Sequence, residues 1–229
     1  MVTIKNRIEA IRERMAESAS RAGCDASGIK LLAVTKTRTV EEMLEAVPFI
    51  DGLGENRVQE AAFKKQDWPA FTETEWRMIG RLQSNKARKA VALFDSLDSM
   101  DSEDIVRMVE RIAAEENRLI PVLLEVNTSG EASKTGAAPE GFPALLDHVL
   151  ECPHLRLDGL MTIGPFTNDE TRVRRAFAML RTITEDARLQ SGLPLPVLSM
   201  GMSDDFELAI AEGSTMVRIG TSLFGPRGA

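Results

Sequence analysis

Ile29-Lys30-Leu31-Leu32-Ala33-Val34-Thr35-Lys36 is a mostly apolar run that ends on an amine, and the polar segment Thr37 to Glu42 follows it. An apolar run of this length with polar flanks reads as a buried strand, here residues 30–36. Val40, Met43, Leu44 and Val47 then recur at helical spacing before Pro48, and Phe49-Ile50-Asp51-Gly52-Leu53-Gly54 reads as a second strand. Strand, helix and strand in so short a span make a parallel pair, because two parallel strands need a crossover between them. Upstream, Ile4, Ile8, Ile11 and Met15 give a helix over residues 3–22 that stops at Gly23.

The alternation continues downstream. Helices are expected at 56–66, 84–92, 102–117, 139–151, 169–191 and 204–212, and strands at 75–80, 94–100, 120–127, 155–163, 195–200 and 215–220. Eight strands separated by helices, with no Pro/Gly/Ser-rich linker, satisfy either an open doubly wound sheet or a closed (β/α)8 TIM barrel. The strand count and the length of 229 residues favour the barrel, as one domain over 1–229 with an additional N-terminal helix. In a barrel the working residues lie at the C-terminal ends of the strands. Lys36, Asn56, Gly80, Asn127, Met161 to Gly164, Ser199 to Ser203 and Gly220-Thr221 would share that rim.

Composition narrows the function. The chain is 43% hydrophobic, and its 35 acidic against 28 basic residues give a net charge of -7, which repels nucleic acid and anionic lipid. Cys24 and Cys152 form neither a metal-spaced cluster nor a disulfide framework, no run is long enough to span a membrane, and the N-terminus has no apolar signal core. A reducing cytoplasm is the expected location. Tyrosine is absent and only His148 and His154 are present, so common proton-transfer side chains are scarce. His154 precedes the sixth strand, at the barrel end opposite the rim, where a structural role is the better assignment.

Three features on the expected rim carry chemistry. A lysine at a strand end is usually a solvated charge, but one held in a partly desolvated barrel mouth becomes a neutral nucleophile able to form a Schiff base. Leu198-Ser199-Met200-Gly201-Met202-Ser203-Asp204-Asp205 and Val217-Arg218-Ile219-Gly220-Thr221 supply small hydroxyl residues and glycines after strands seven and eight, where barrels commonly bind phosphate. The competing reading is turn and capping chemistry, with Ser203 or Asp204 as an N-cap. An amine and a phosphate nest on one rim point to a phosphorylated aldehyde, and pyridoxal 5'-phosphate (PLP) is such a ligand. Arg218 would then donate to the pyridine nitrogen, or else serve a structural ion pair.

Those segments, with Gly54-Glu55-Asn56-Arg57-Val58-Gln59-Glu60, Ile79-Gly80-Arg81-Leu82-Gln83-Ser84-Asn85-Lys86 and Gly159-Leu160-Met161-Thr162-Ile163, resemble the pyridoxal phosphate homeostasis protein family in order from residue 31 to 225. The resemblance implies a barrel like the N-terminal domain of alanine racemase, the type III fold of PLP proteins, holding PLP as an internal aldimine. By motif, Lys36 is the Schiff-base lysine and Arg218 meets the pyridine nitrogen. Ser199, Ser203, Gly220 and Thr221 hold the phosphate, and Asn56 and Met161 line the ring. Lys134 matches a family lysine in a mobile loop linked to accepting or passing on PLP. Two positions depart from the family pattern: Arg77 stands where a histidine is frequent, and Arg38 where a second lysine is frequent.

The resemblance further implies a non-catalytic, monomeric carrier that buffers intracellular PLP, the active vitamin B6, and supplies it to PLP-dependent apo-enzymes. The alternative is a PLP-dependent amino-acid racemase. Such an enzyme needs a second acid/base opposite the Schiff-base lysine, a tyrosine in alanine racemase, and this chain has none. A regulator that binds RNA or a partner fits the acidic balance poorly.

Overall fold

The structure, a computed structural model, describes residues 2–70 and 72–226. Eight parallel strands close into a barrel in chain order: β1 Lys30–Val34, β2 Gly52–Glu55, β3 Trp76–Met78, β4 Ser96–Met100, β5 Ile120–Glu125, β6 Leu155–Met161, β7 Val197–Ser199 and β8 Met216–Ile219. β8 pairs back onto β1 with Leu32 opposite Arg218, which closes the sheet and excludes the open doubly wound arrangement. Helices α2 Val40–Ala46, α3 Val58–Lys64, α4 Ala87–Leu93, α5 Glu103–Glu115, α6 Phe142–Leu150, α7 Glu170–Ser191 and α8 Phe206–Ala211 follow the first seven strands. Each turns an apolar stripe to the barrel wall. In α5 this is Ile105, Val106, Val109, Ile112 and Ala113, all buried.

Among the described residues a single turn follows β8, α9 Thr221–Phe224, too short to cover the closing strands. The N-terminal helix α1, Ile4–Ala22, does so instead. It starts at a Thr3 capping box, ends at left-handed Gly23, and packs Ile8, Ile11, Met15 and Ala19 across α8, α9 and α2. Arg14 pairs with Glu207 at 2.9 Å and lies 4.7 Å over the Phe206 ring. The additional helix is therefore the eighth member of the outer ring. Arg38 closes the same seam, donating to the Gly225 carbonyl at 2.6 Å and lying over Phe224.

Several boundaries are tighter than the apolar pattern suggests. β1 ends at Val34, so Lys36 stands in the following turn, where Thr37 has φ 64°. Phe49 belongs to a 3-10 turn over Val47–Phe49, because Pro48 suits the first position of a turn and cannot donate within a ladder. Leu195, at φ 37°, delays β7 to Val197, and the helix expected from 204 begins at Phe206.

The barrel lumen is small and partly charged. Leu32, Ile79 and Met216 form its apolar layer with Val34 and Val197. A Cβ on Gly54 would lie 2.8 Å from Ile79 and 3.0 Å from Leu32, so the glycines of β2 make room for these side chains. Beside this layer Arg77 forks onto Asp98 at 2.7 and 2.9 Å, with Ser96 donating to the same carboxylate at 2.6 Å. Burial pulls the Arg77 pKa down, yet Asp98 and Glu75 outweigh it and leave it raised. The residue that departs from the family pattern is thus a lumen ion pair, sealed from the solvent.

Asp98→Ala, which leaves Arg77 buried without its partner, should cost about 3–5 kcal/mol in urea denaturation. The double variant Arg77→Met/Asp98→Leu should cost less than this single change, because no charge is then stranded in the lumen.

Candidate functional site

The strand ends deliver the expected residues to one rim, and the loops behind β5 to β8 are joined there. β8 carries Arg218 inward and buried, with Nη1 donating to Ser199 Oγ at 2.8 Å and Nη2 to the Thr162 carbonyl at 2.8 Å. These bonds tie β6, β7 and β8 together through one guanidinium. A guanidinium has five N–H donors, so others remain for a ligand. Burial lowers the Arg218 pKa against the opposing pull of Glu125, Asp98 and Asp205. Ser199 is fully buried and spends its acceptor on Arg218, so it supports the guanidinium as well as facing the site.

Ser203 and Asp204 do not cap α8, contrary to the competing reading from sequence. The Ser203 hydroxyl accepts from the Ser222 backbone N–H at 3.3 Å, which joins the loop after β7 to the turn after β8. Asp205 occupies the position before α8, but its carboxylate accepts from the Met202 N–H at 2.6 Å. Gly201, at φ 94°, allows this tight loop, since a Cβ there would lie 2.6 Å from Ala209. Gly220 rests against Val34 of β1, two residues before Lys36. The two halves of the expected phosphate nest, with Thr221 at its edge, are therefore a single hydrogen-bonded unit.

Lys36 is exposed, not partly desolvated as the strand-end reading expects, because it lies past the last ladder bond of β1. Its turn is nevertheless held from behind by a cluster the sequence reading did not single out. Buried Lys64 donates at 2.7 Å to Glu55, Glu60 and the Thr35 carbonyl. Thr35 Oγ1 donates to Glu55 at 2.6 Å, and the Thr37 N–H to Glu60 at 2.5 Å. Both neighbours of Lys36 are thus anchored while its side chain stays free. Burial raises the Glu55 pKa against the pull of Lys64 and Thr35. The signal lay in Glu60 and Lys64, four apart on the expected helix, with Glu55 at the end of the preceding strand, but only the fold shows that they converge.

Met161 is buried at the end of β6 and Asn56 is half-buried after β2. Lys134 is not a freely solvated charge. Its ammonium reaches the Gly164 carbonyl and lies 3.5 Å from Glu131, and Asn127 Nδ2 donates to the Glu131 and Lys134 carbonyls at 2.9 and 3.4 Å. Glu125, also unread from sequence, is buried in the lumen, accepts from Thr135 at 2.6 Å and faces Arg218. His154 pairs with Glu110 at 2.7 Å, away from the rim residues, which fits the structural role. Among the described residues there is no metal-binding cluster, and no helix is long and apolar enough to cross a membrane.

This donor set fits PLP: an accessible amine for its aldehyde, a donor-only guanidinium for its pyridine nitrogen, and hydroxyls and backbone N–H groups for its phosphate. Fold and site together define a barrel of the alanine racemase N-terminal type. The model of the alanine racemase N-terminal domain matches residues 7–228. Alanine racemase of Clostridium difficile superposes with a TM-score of 0.71 at 15% identity, over 95% of this chain and 57% of that one, a likeness of fold alone. The pyridoxal phosphate homeostasis protein of Pseudomonas aeruginosa is 42% identical, covering 99% of this chain and 97% of the relative, and that of Aquifex aeolicus is 39% identical over 96% and 97%. PipY of Synechococcus elongatus, solved with PLP bound, has a TM-score of 0.82 at 36% identity over 94% of this chain and all of that one. The chain belongs to the pyridoxal phosphate homeostasis protein family.

Burial is the main reason that the Glu125 carboxyl titrates above its ordinary range, with Thr135 and Arg218 only partly offsetting it. The folded state then binds this proton more tightly than the unfolded chain, so the group stabilises most below its unfolded pKa and loses that contribution as pH rises above about 4. Glu125→Gln should gain stability relative to the parent as pH rises from 4 to 7, by on the order of 1 kcal/mol per pH unit separating the two pKa values. Urea titrations at both ends of that range measure the difference.

Proposed function

We propose that this protein binds PLP, buffers it and yields it to PLP-dependent apo-enzymes, acting as a carrier without turnover of its own. One arrangement carries the reading: Lys36 stands on the same rim as the buried Arg218 guanidinium and the joined loops around Ser203 and Thr221. Family membership, with PLP bound in PipY, supports the choice of ligand. Bound PLP supplies an aldehyde carbon and an electron-poor ring.

Lys36 supplies the amine for a Schiff base. Ser199, Ser203, Gly220 and Thr221 hold the phosphate, and Asn56 and Met161 line the ring. Arg218 donates to the pyridine nitrogen and, having no acceptor, leaves it unprotonated. That weakens the ring as an electron sink, though racemases of this fold share the arrangement. More discriminating is the absence of tyrosine from the whole chain, which removes the acid/base that alanine racemase uses opposite its lysine. The exposure of Lys36 leaves its bond open to amines from solution, which favours exchange. Lys134, in the loop after β5 with its ammonium on the Gly164 carbonyl after β6, would meet PLP as it enters or leaves. A monomer in the cytoplasm completes the reading.

Purified protein should show the absorbance of a PLP Schiff base, borohydride should fix the label to the peptide containing Lys36, and Lys36→Ala should lose both signals. Sustained racemisation or decarboxylation of L-amino acids by contaminant-free protein would overturn the carrier assignment in favour of a racemase or related enzyme. Thr221→Val should weaken PLP retention about tenfold, the loss expected for one hydrogen bond to a charged group. Gel filtration of loaded protein, with absorbance detection, measures that retention.

A further inference from the structure

A second recess opens on the rim where β2 and β3 end. It is a cavity of about 610 Å3 whose polar lining comprises Asn56, Arg57, Gln59, Arg81, Gln83 and Lys86. Its floor is pinched, since a Cβ on Gly80 would lie 2.4 Å from the Asn56 carbonyl oxygen. Met78 and Val58 supply the apolar part of the wall. In a chain with a net charge of -7, the lining holds three cations and no carboxylate. Arg81 has only a loose partner in Asp101 at 3.7 Å, and Arg57 and Lys86 have no ion pair among the described residues. Like charges around one cavity, with Asp101 as their one loose counter-charge among the described residues, repel one another, and a bound anion would relieve that repulsion.

We propose that this cavity is a second anion site, separate from the loops around Ser203 and Thr221, and that it takes the phosphomonoester of a small polar molecule. Two guanidinium forks and an ammonium suit a doubly charged phosphate, and Gln59 and Gln83 add neutral donors and acceptors. The volume exceeds what inorganic phosphate needs, which leaves space for an organic portion. Among the described residues no aromatic ring lines the cavity, so that portion is held by hydrogen bonds and not by stacking. Asn56 belongs both to this lining and to the expected ring contacts of the PLP site, which places the two sites side by side.

The site is tested by titrating glycerol 3-phosphate, inorganic phosphate and glycerol into the full-length protein, as purified and after borohydride reduction, with calorimetry and phosphorus NMR. Glycerol 3-phosphate should bind saturably and more weakly as ionic strength rises, while glycerol should not bind. Arg81→Gln and Lys86→Gln should each weaken binding about tenfold and leave the Schiff-base absorbance unchanged. Equal binding by glycerol 3-phosphate and inorganic phosphate would remove the organic portion from the proposal. Absence of saturable binding at millimolar concentration would overturn the site, as would binding that responds to Thr221→Val and not to Arg81→Gln or Lys86→Gln. A missing Schiff-base signal with intact, Arg81-dependent phosphate binding would instead count against the PLP assignment alone.

Discussion

The parallel pairing of β8 with β1 governs the rest of this molecule. Once Leu32 lies opposite Arg218, all eight strands point the same way around a closed wall, and every loop after a strand opens on one end. Closure also forces alternate residues inward, into a lumen too narrow for free choice of side chain. Glycine on β2 is one consequence, because Leu32 and Ile79 occupy the space that a Cβ would need. The position of α1 is another. With one helical turn after β8 among the described residues, that turn leaves the closing strands uncovered, and α1 supplies an apolar face over them.

Inside the wall, charge is placed with a partner or near one. Arg77 and Asp98 neutralise each other among buried neighbours. Arg218 differs: its direct partners are a hydroxyl and a carbonyl, while Glu125 and Asp205 act on it through space. A guanidinium held this way keeps its orientation and retains unused donors. Buried neutral partners fix the group, and a guanidinium stays charged without a directly paired acid, which is the condition for a preorganised contact to an acceptor on a ligand.

On the neighbouring stretch of the rim, after β1 and β2, the same principle acts on the backbone. Lys64, Glu55 and Glu60 sit behind the turn that carries Lys36 and bond to the residues on both sides of it. The side chain of Lys36 is exposed, while the backbone on both sides of it is held by this clamp. Two of the residues that hold the turn, Glu55 and Lys64, are among the few buried charged groups of the described residues.

Much was legible without coordinates. The period of apolar residues gave the order of the eight strands and their intervening helices, because burial on both faces of a parallel sheet demands continuous apolar runs. Strand-end glycines, hydroxyls, Lys36 and Arg218 marked the rim for the same reason. What could not be read was the exact end of each ladder, since hydrogen-bond register depends on the neighbouring strand and not on local hydropathy. That difference put Lys36 two residues beyond β1 and into solvent. Nor could the sequence pair Arg77 with Asp98, Glu125 with Thr135, or Lys64 with the turn at residue 36, because such contacts join side chains brought together by closure. The sequence by itself determined the alternation, the chemistry available at the rim and the absence of tyrosine. The tertiary structure alone decided which charges are buried, which are paired and which stay free, because desolvation and pairing are properties of place.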